Sequence, residues 1–312
     1  MEQDASSVKL FPLKRKFTFI RRDREDIQMK LNEAKLDLGG GSLWQVAQRS
    51  LIQMMSYFID TPDGKLIIID GGDYGKEDAD NLYEMIQKRG GHVDLWIISH
   101  AHKDHFGALT WIMEHYPAFD IEIDRLCFHF PAKEWLAQKE QWEYNEMFAR
   151  NLEKHGIPVV TPEAGDIFTC GSISVEIVSV PEDYEAYEKI NSTSMITLVH
   201  FPKRDVLFLG DFDVYAQEEF LRKHDVSKIR KDIVQMAHHG QNAVDRSFYE
   251  LIQPKVCLYP TPKWLWENNL YGCNDPETVG KGPFTTRETR KWMEELGAEK
   301  SYTQEAGDWL FT

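Results

Sequence analysis

An apolar run, VDLWIIS (residues 93–99), passes directly into HAHKDH (100–105). Such a run suits a strand buried on both faces, so the residues after it are delivered to the edge of a sheet. Those residues include His100, His102, Asp104 and His105, four strong metal-ligand types within six positions. A polar loop is the ordinary reading of such a stretch, and the rest of the chain argues against it. VLFLGDFD puts Asp211 just past a second apolar run, DIVQMAHHG puts His238 and His239 past a third, and LIIIDGG puts Asp70 past a fourth. One histidine or acid at a strand end is more often a satisfied polar group. The same residue types at four strand ends form a constellation.

Strand-like runs recur along the chain at 51–60, 65–70, 125–130, 173–180, 194–201, 205–210, 232–236 and 255–260. The first two are joined by TPDG, whose residues suit a hairpin turn. Helical patterns lie between the runs, at 76–90, 106–116, 215–224, 247–252 and 285–297, with the longest at 132–156, stopped by Gly156 and Pro158. Interleaved helices and hairpin-spaced strands predict an α/β fold of two mixed sheets packed on each other, flanked by helices. The simplest division is an N-terminal extension over 1–50 and one domain over 51–312 with a helical insertion near 131–156. Residues 31–48 carry three glycines and little periodicity, as expected of a loop over the site or a partner contact.

Composition narrows the class. Hydrophobic residues make up 42% and charged ones 28%, which fits a globular chain rather than a disordered one. The net charge of −15 argues against passive nucleic-acid binding, which leaves a basic footprint. It does not exclude an anionic substrate, because bound cations reverse the local field. Cys127, Cys170, Cys257 and Cys273 form no CxxC pair, so no disulfide scaffold is expected. No secretory apolar segment opens the chain, and nothing approaches the roughly 20 apolar residues of a membrane span. The expected location is cytoplasmic.

The ligand chemistry depends on position. A His-x-His pair at a strand end can aim two imidazoles at one cation, while Asp104 and His105, opening the next helix, face a second. Imidazole with carboxylate suits zinc first, and also manganese or iron. Asp211 sits where a bridging carboxylate is needed, and Gly107 allows the helix to approach the sheet closely.

These pieces resemble the metallo-β-lactamase superfamily: Asp70 in IIIDGG, His100-x-His102-x-Asp104-His105, Asp211 in LGD, and the histidine pair before Gly240. Within it the chain looks most similar to the ComEC-like metallo-hydrolase branch, through TPDGKLIIIDGG, NSTSMITLVHF, DVLFLGDFD, HHG and SYTQEAGDWLF, as a free-standing relative without a channel. The resemblance implies an αββα sandwich with two divalent metal ions at the sheet edges. It implies a hydrolase whose bridging hydroxide attacks a phosphodiester in a nucleotide, nucleic acid or small phospho-ester. Hydrolysis of a lactone, thioester or β-lactam is the alternative, as is a catalytically silent, metal-bound binding protein. His100, His102 and Asp211 would hold one metal, and Asp104, His105, Asp211 and one histidine of the His238-His239 pair the other, His238 being favoured over His239 because it comes first off the strand. Asp70 would orient a ligand histidine, and His239 would donate to the leaving oxygen. Two departures stand out: Asn191 lies where the superfamily usually supplies another histidine, and Gln241 where the branch usually has serine. His129 is a substitute ligand or a packing residue. Trp264, Trp266 and Tyr271 lie in a loop after the last ligand strand, either stacking on substrate or covering the core edge. Lys263, Lys281 and Arg287 are candidates to meet a phosphate, and His200 is given no role.

Overall fold

The computed structural model describes residues 30–312. The first sheet has the strand order Leu31–Ala34, Asp308–Phe311, Ser42–Gln45, Tyr57–Asp60, Leu66–Ile69, Leu95–Ile97, Leu126–Cys127 and Val159–Val160. The second runs Ile167–Cys170, Ile173–Ser179, Ile196–His200, Asp205–Phe208, Ile233–Gln235, Val256–Tyr259 and Lys300–Thr303. Each sheet changes character along its width. Tyr57–Asp60 and Leu66–Ile69 form the antiparallel hairpin expected around TPDG, where Thr61 Oγ1 accepts the Lys65 amide at 2.9 Å. From Leu66–Ile69 onward the pairing is parallel, as it is from Asp205–Phe208 onward in the second sheet. Parallel pairing needs crossovers, and these are the helices Lys76–Gln87, Lys103–His115 and Trp142–His155 on one side and Val214–Lys223, Arg246–Ile252 and Thr286–Glu295 on the other.

Side-chain alternation sorts the apolar runs into three layers. Ile59, Ile67, Ile69 and Ile97 meet Val175, Val199, Phe208 and Leu258 between the sheets. Ile68 and Trp96 face outward beneath Leu82, Phe106 and Ile112. Leu207, Val234 and Cys257 lie beneath Phe220, Phe248 and Met293. Strands covered on both faces are apolar at every position, which is why these segments read as unbroken runs. Cys127, Cys170 and Cys257 are free and buried in these layers.

Two expectations need correction. The stretch expected as an extension over 1–50 contributes two strands: Leu31–Ala34 pairs with Asp308–Phe311, and Ser42–Gln45 lies between Asp308–Phe311 and Tyr57–Asp60. Four-residue strands show too little alternation to be read, and their partner is at the other end of the chain. Residues 1–29 lie outside the described residues. The long helix expected over 132–156 is two, Lys133–Leu136 and Trp142–His155, separated at Gln141, which takes a left-handed φ of 61°. Among the described residues no helix is long and apolar enough to cross a membrane.

Candidate metal centre

The parallel strands deliver Asp70, Ser99-His100, Asp211 and the His238-His239 pair to one edge. Asp70 comes directly after Ile69 in a left-handed conformation, φ 58°, and is fully buried. Its carboxylate accepts the Ser99 amide at 2.7 Å and the Ser99 hydroxyl at 3.0 Å, and lies 2.8 Å from His105 Nδ1. An αL aspartate with three partners is backbone strain held by its surroundings, the kind that gathers at functional sites.

The histidines share one pattern. Each has one ring nitrogen against a protein oxygen: His100 Nδ1 at 3.1 Å from Ser99 Oγ, His102 Nε2 at 3.4 Å from Glu140, His105 Nδ1 at 2.8 Å from Asp70, and His239 Nδ1 at 2.9 Å from the Pro260 carbonyl. An oxygen acceptor assigns one proton to that nitrogen and turns the opposite nitrogen toward the centre, where a proton or a cation can occupy it. The opposite nitrogens converge on Asp211. His105 Nε2 is 3.4 Å from its Oδ1, and His239 Nε2 and His100 Nε2 are 3.6 Å and 3.9 Å from its Oδ2. His102 Nδ1 lies 3.1 Å from His100 Nε2, and His239 Nε2 lies 3.2 Å from Asp104 Oδ2.

Two groups of ligand atoms result, His100 with His102 and Asp211, and Asp104 with His105 and His239, each set within 4.8 Å of one another. His105 Nε2, Asp211 Oδ1 and His239 Nε2 are buried without a hydrogen-bond partner. Each such atom costs about 1–3 kcal/mol. Three of them facing one another in a field of two carboxylates fit divalent cations.

The electrostatics agree. Burial pushes His100 well below the usual imidazole range, keeping it neutral. Burial also works against protonation of His105 and His239, but the carboxylates of Asp211, Asp70 and Asp104 beside the first, and of Asp211 and Asp104 beside the second, outweigh it and hold both above that range. Burial opposes ionisation of Asp211 and Asp104, yet the neighbouring histidines hold both below the carboxylate range. A site that attracts protons so strongly releases them when a cation binds.

The sequence left His238 and His239 as alternatives beside Asp104 and His105, with His238 favoured; the geometry groups His239 with them. His238, His239 and Gly240 all have positive φ, 49°, 54° and 80°. This left-handed turn directs His239 inward and fully buried, while the His238 side chain stays 28% exposed. Gly240 is required: an added Cβ would meet the Tyr259 ring Cε1 at 2.9 Å. His238 Nε2 lies 3.9 Å from Asp211 and 3.3 Å from Asn191 Nδ2, so Asn191 does reach the edge of the centre.

The other candidates are engaged by partners of their own. His129 Nδ1 is 2.9 Å from the Pro162 carbonyl, and among the described residues it joins neither ligand group. Trp264 is buried, donates to the Leu51 carbonyl at 2.8 Å and packs edge-on to Phe284, which is the core-edge role. Trp266 packs on Tyr259 under the Arg290 guanidinium. Lys263 pairs with Glu267, Arg287 donates to the Glu267 carbonyl, and His200 pairs with Asp205 and Glu176. The Tyr271 side chain lies outside the described part of the structure. Ser99, Glu140, Gln141, Asn145 and the Pro260 carbonyl were not foreseen. Ser99, next to His100, was the one with a local signal.

A layered αββα fold with this edge constellation defines the class. A family model of the metallo-beta-lactamase superfamily matches residues 51–256, and the chain belongs to that superfamily. Solved structures share the fold. The metallo-beta-lactamase fold protein YhfI from Bacillus subtilis matches with a TM-score of 0.52 at 11% identity, over 86% of this chain and 99% of that one. A variant of the beta-hydroxylase CmlA matches with a TM-score of 0.50 at 14% identity, over 86% of this chain. The match spans 53% of the hydroxylase, about half its length. No curated protein matches at the sequence level.

Proposed function

We propose that the protein is a metal-dependent hydrolase with a dinuclear centre, acting on a phosphodiester in a nucleotide, a nucleic-acid strand or a small phospho-ester. The observation that carries this is the carboxylate of Asp211, which lies between the two ligand groups, within 3.9 Å of His100, His105, His238 and His239. In this reading His100, His102 and Asp211 hold one cation, and Asp104, His105, His239 and Asp211 the other. The donor set suits zinc first, then manganese or iron. Bound there, the cations would lower the pKa of a water and polarise a substrate oxygen.

The chain's own groups do the orienting. Asp70, Ser99, Glu140 and the Pro260 carbonyl hold the histidine rings from behind, as the oxygen partners of ligand histidines do. At the rim the Asn191 amide donates toward His238 Nε2 at 3.3 Å, burial holds His238 below the usual imidazole range, and the amide is in place to give a hydrogen bond to an oxygen of the substrate. The phosphodiester assignment draws on the Asn191 amide, a donor for a non-bridging oxygen, and on the ComEC-like sequence features. The net charge of −15 makes the metal centre, not a basic surface, the attraction for an anionic substrate.

Metal-loaded protein assayed on bis-p-nitrophenyl phosphate, single-stranded DNA, a lactone and nitrocefin tests the proposal. Phosphodiester turnover that disappears in Asp104→Ala supports it. Turnover of the lactone or nitrocefin alone replaces it with carbonyl hydrolysis, and metal binding with no turnover of any of them favours a binding protein.

A further inference from the structure

The segment expected as a helical insertion, with helices Lys133–Leu136 and Trp142–His155, reaches back to the ligand loop at three residues. Asn145 Nδ2 donates to the Ala101 carbonyl at 3.0 Å, Glu140 Oε1 lies 3.4 Å from His102 Nε2, and Gln141 Oε1 accepts the Lys103 amide at 3.0 Å. Two of the three come from the break between the insertion's helices, where Gln141 takes its left-handed φ. Asn145 is buried, and its amide also donates to the Gln141 carbonyl at 3.2 Å, so the clamp is one connected piece. Ala101 itself packs against Trp135 and Leu136 of the insertion.

This support differs from that of the other ligands. His100, His105 and His239 are oriented by oxygens from the strand ends or the loops just after them. Among the described residues, the partners of His102 are His100 and Glu140. With Nε2–H directed to Glu140, Nδ1 of His102 faces His100. The backbone on either side of His102 is held by Asn145 and Gln141.

We propose that the insertion is the positioning element of the His100–His102–Asp211 metal position. Asn145 and Gln141 hold the backbone of residues 101–103, and Glu140 sets the His102 ring. The inference rests on the dinuclear reading above. Partners behind a metal ligand are worth about 10–100-fold in metal affinity.

Zinc titration of the metal-free, full-length protein against a competing chelator tests it. The wild type is expected to bind about two ions, as a dinuclear centre requires. Asn145→Asp, which keeps the shape but loses the amide donor, and Gln141→Ala are each expected to weaken one ion by about 10–100-fold and spare the other. Adding either to His102→Ala should cause no further loss, the signature of a shared pathway. Gln141→Glu keeps an acceptor for the Lys103 amide and should bind like the wild type. Wild-type affinities in the folded Asn145→Asp and Gln141→Ala proteins overturn the inference, and so does equal weakening of both ions, which is general loosening. If Asn145→Asp does not fold, Gln141→Ala decides alone. A wild type that binds no zinc would instead remove the dinuclear reading itself.

Discussion

Gly107→Ala probes how Asp104 and His105 are carried. Gly107 is buried in the helix Lys103–His115, two residues after His105. A Cβ there would lie 2.7 Å from Tyr74 Cα and 2.8 Å from the Asp73 carbonyl carbon, where ordinary contact needs about 3.5–4.0 Å. The obstruction is backbone and cannot rotate aside, so the helix must retreat by roughly 1 Å to restore that contact distance. Two effects compete. Alanine is the better helix former by about 1 kcal/mol, and the φ of Gly107 is not left-handed, so no backbone strain opposes it. Overpacking costs about 1–3 kcal/mol, with backbone against backbone at the upper end. The expected net loss is about 2 kcal/mol, read by urea unfolding of the metal-free protein. The retreat also moves the turn that receives the Met55 amide on the Asp104 carbonyl at 3.0 Å and gives the Ala108 amide to Gly72 at 3.2 Å. His105 Nε2, now 3.4 Å from Asp211, moves with it. Misplacement of this size costs up to about 100-fold in rate, which any substrate turned over by the wild type would report. A Gly107→Ala protein that is as stable as the wild type, or more so, and binds both ions would refute the packing argument.

His239→Asn is expected to lose one of the two ions, whereas His238→Asn keeps both and slows turnover; asparagine is chosen because it tolerates the left-handed backbone, and the reverse outcome by metal analysis would exchange their roles. Asp70→Asn removes the carboxylate behind His105 and should weaken zinc binding by about 10–100-fold; an unchanged chelator titration would show that Asp70 does not orient that ring. Burial raises the Asp78 carboxyl from 3.8 to about 6, against hydrogen bonds from the Arg49 amide and the Ser50 hydroxyl. Between those values the folded state keeps a proton that the unfolded state has released. Stability therefore falls as pH rises through that window, by at most about 3 kcal/mol. Asp78→Asn should flatten the slope of urea midpoints against pH between about 4 and 6, and a slope unchanged by the substitution would refute the assignment.

The layered fold was legible because strands covered on both faces must be apolar throughout, and runs such as LIIID and VDLWIIS carry that demand locally. The strands Leu31–Ala34 and Ser42–Gln45 were not legible. Four residues hold barely two alternations, and their pairing with Asp308–Phe311 is made across nearly the whole chain. The ligand-type residues could likewise be picked out one strand end at a time, since a sheet delivers the residues beyond each strand to its edge.

Which nitrogen faces the centre is another matter. His238 and His239 are chemically identical neighbours, and the three-residue left-handed turn under Tyr259 sends one inward and leaves the other at the rim. The oxygens behind the rings come from Asp70, Ser99, Glu140 and Pro260, far apart along the chain, and only folding makes them neighbours. Trp264 reads equally well as a stacking surface or as core until its indole is seen against the Leu51 carbonyl. Residue type and period are properties of a segment, so they can be read from it. Direction and partnership belong to pairs of segments and appear only when the chain has packed.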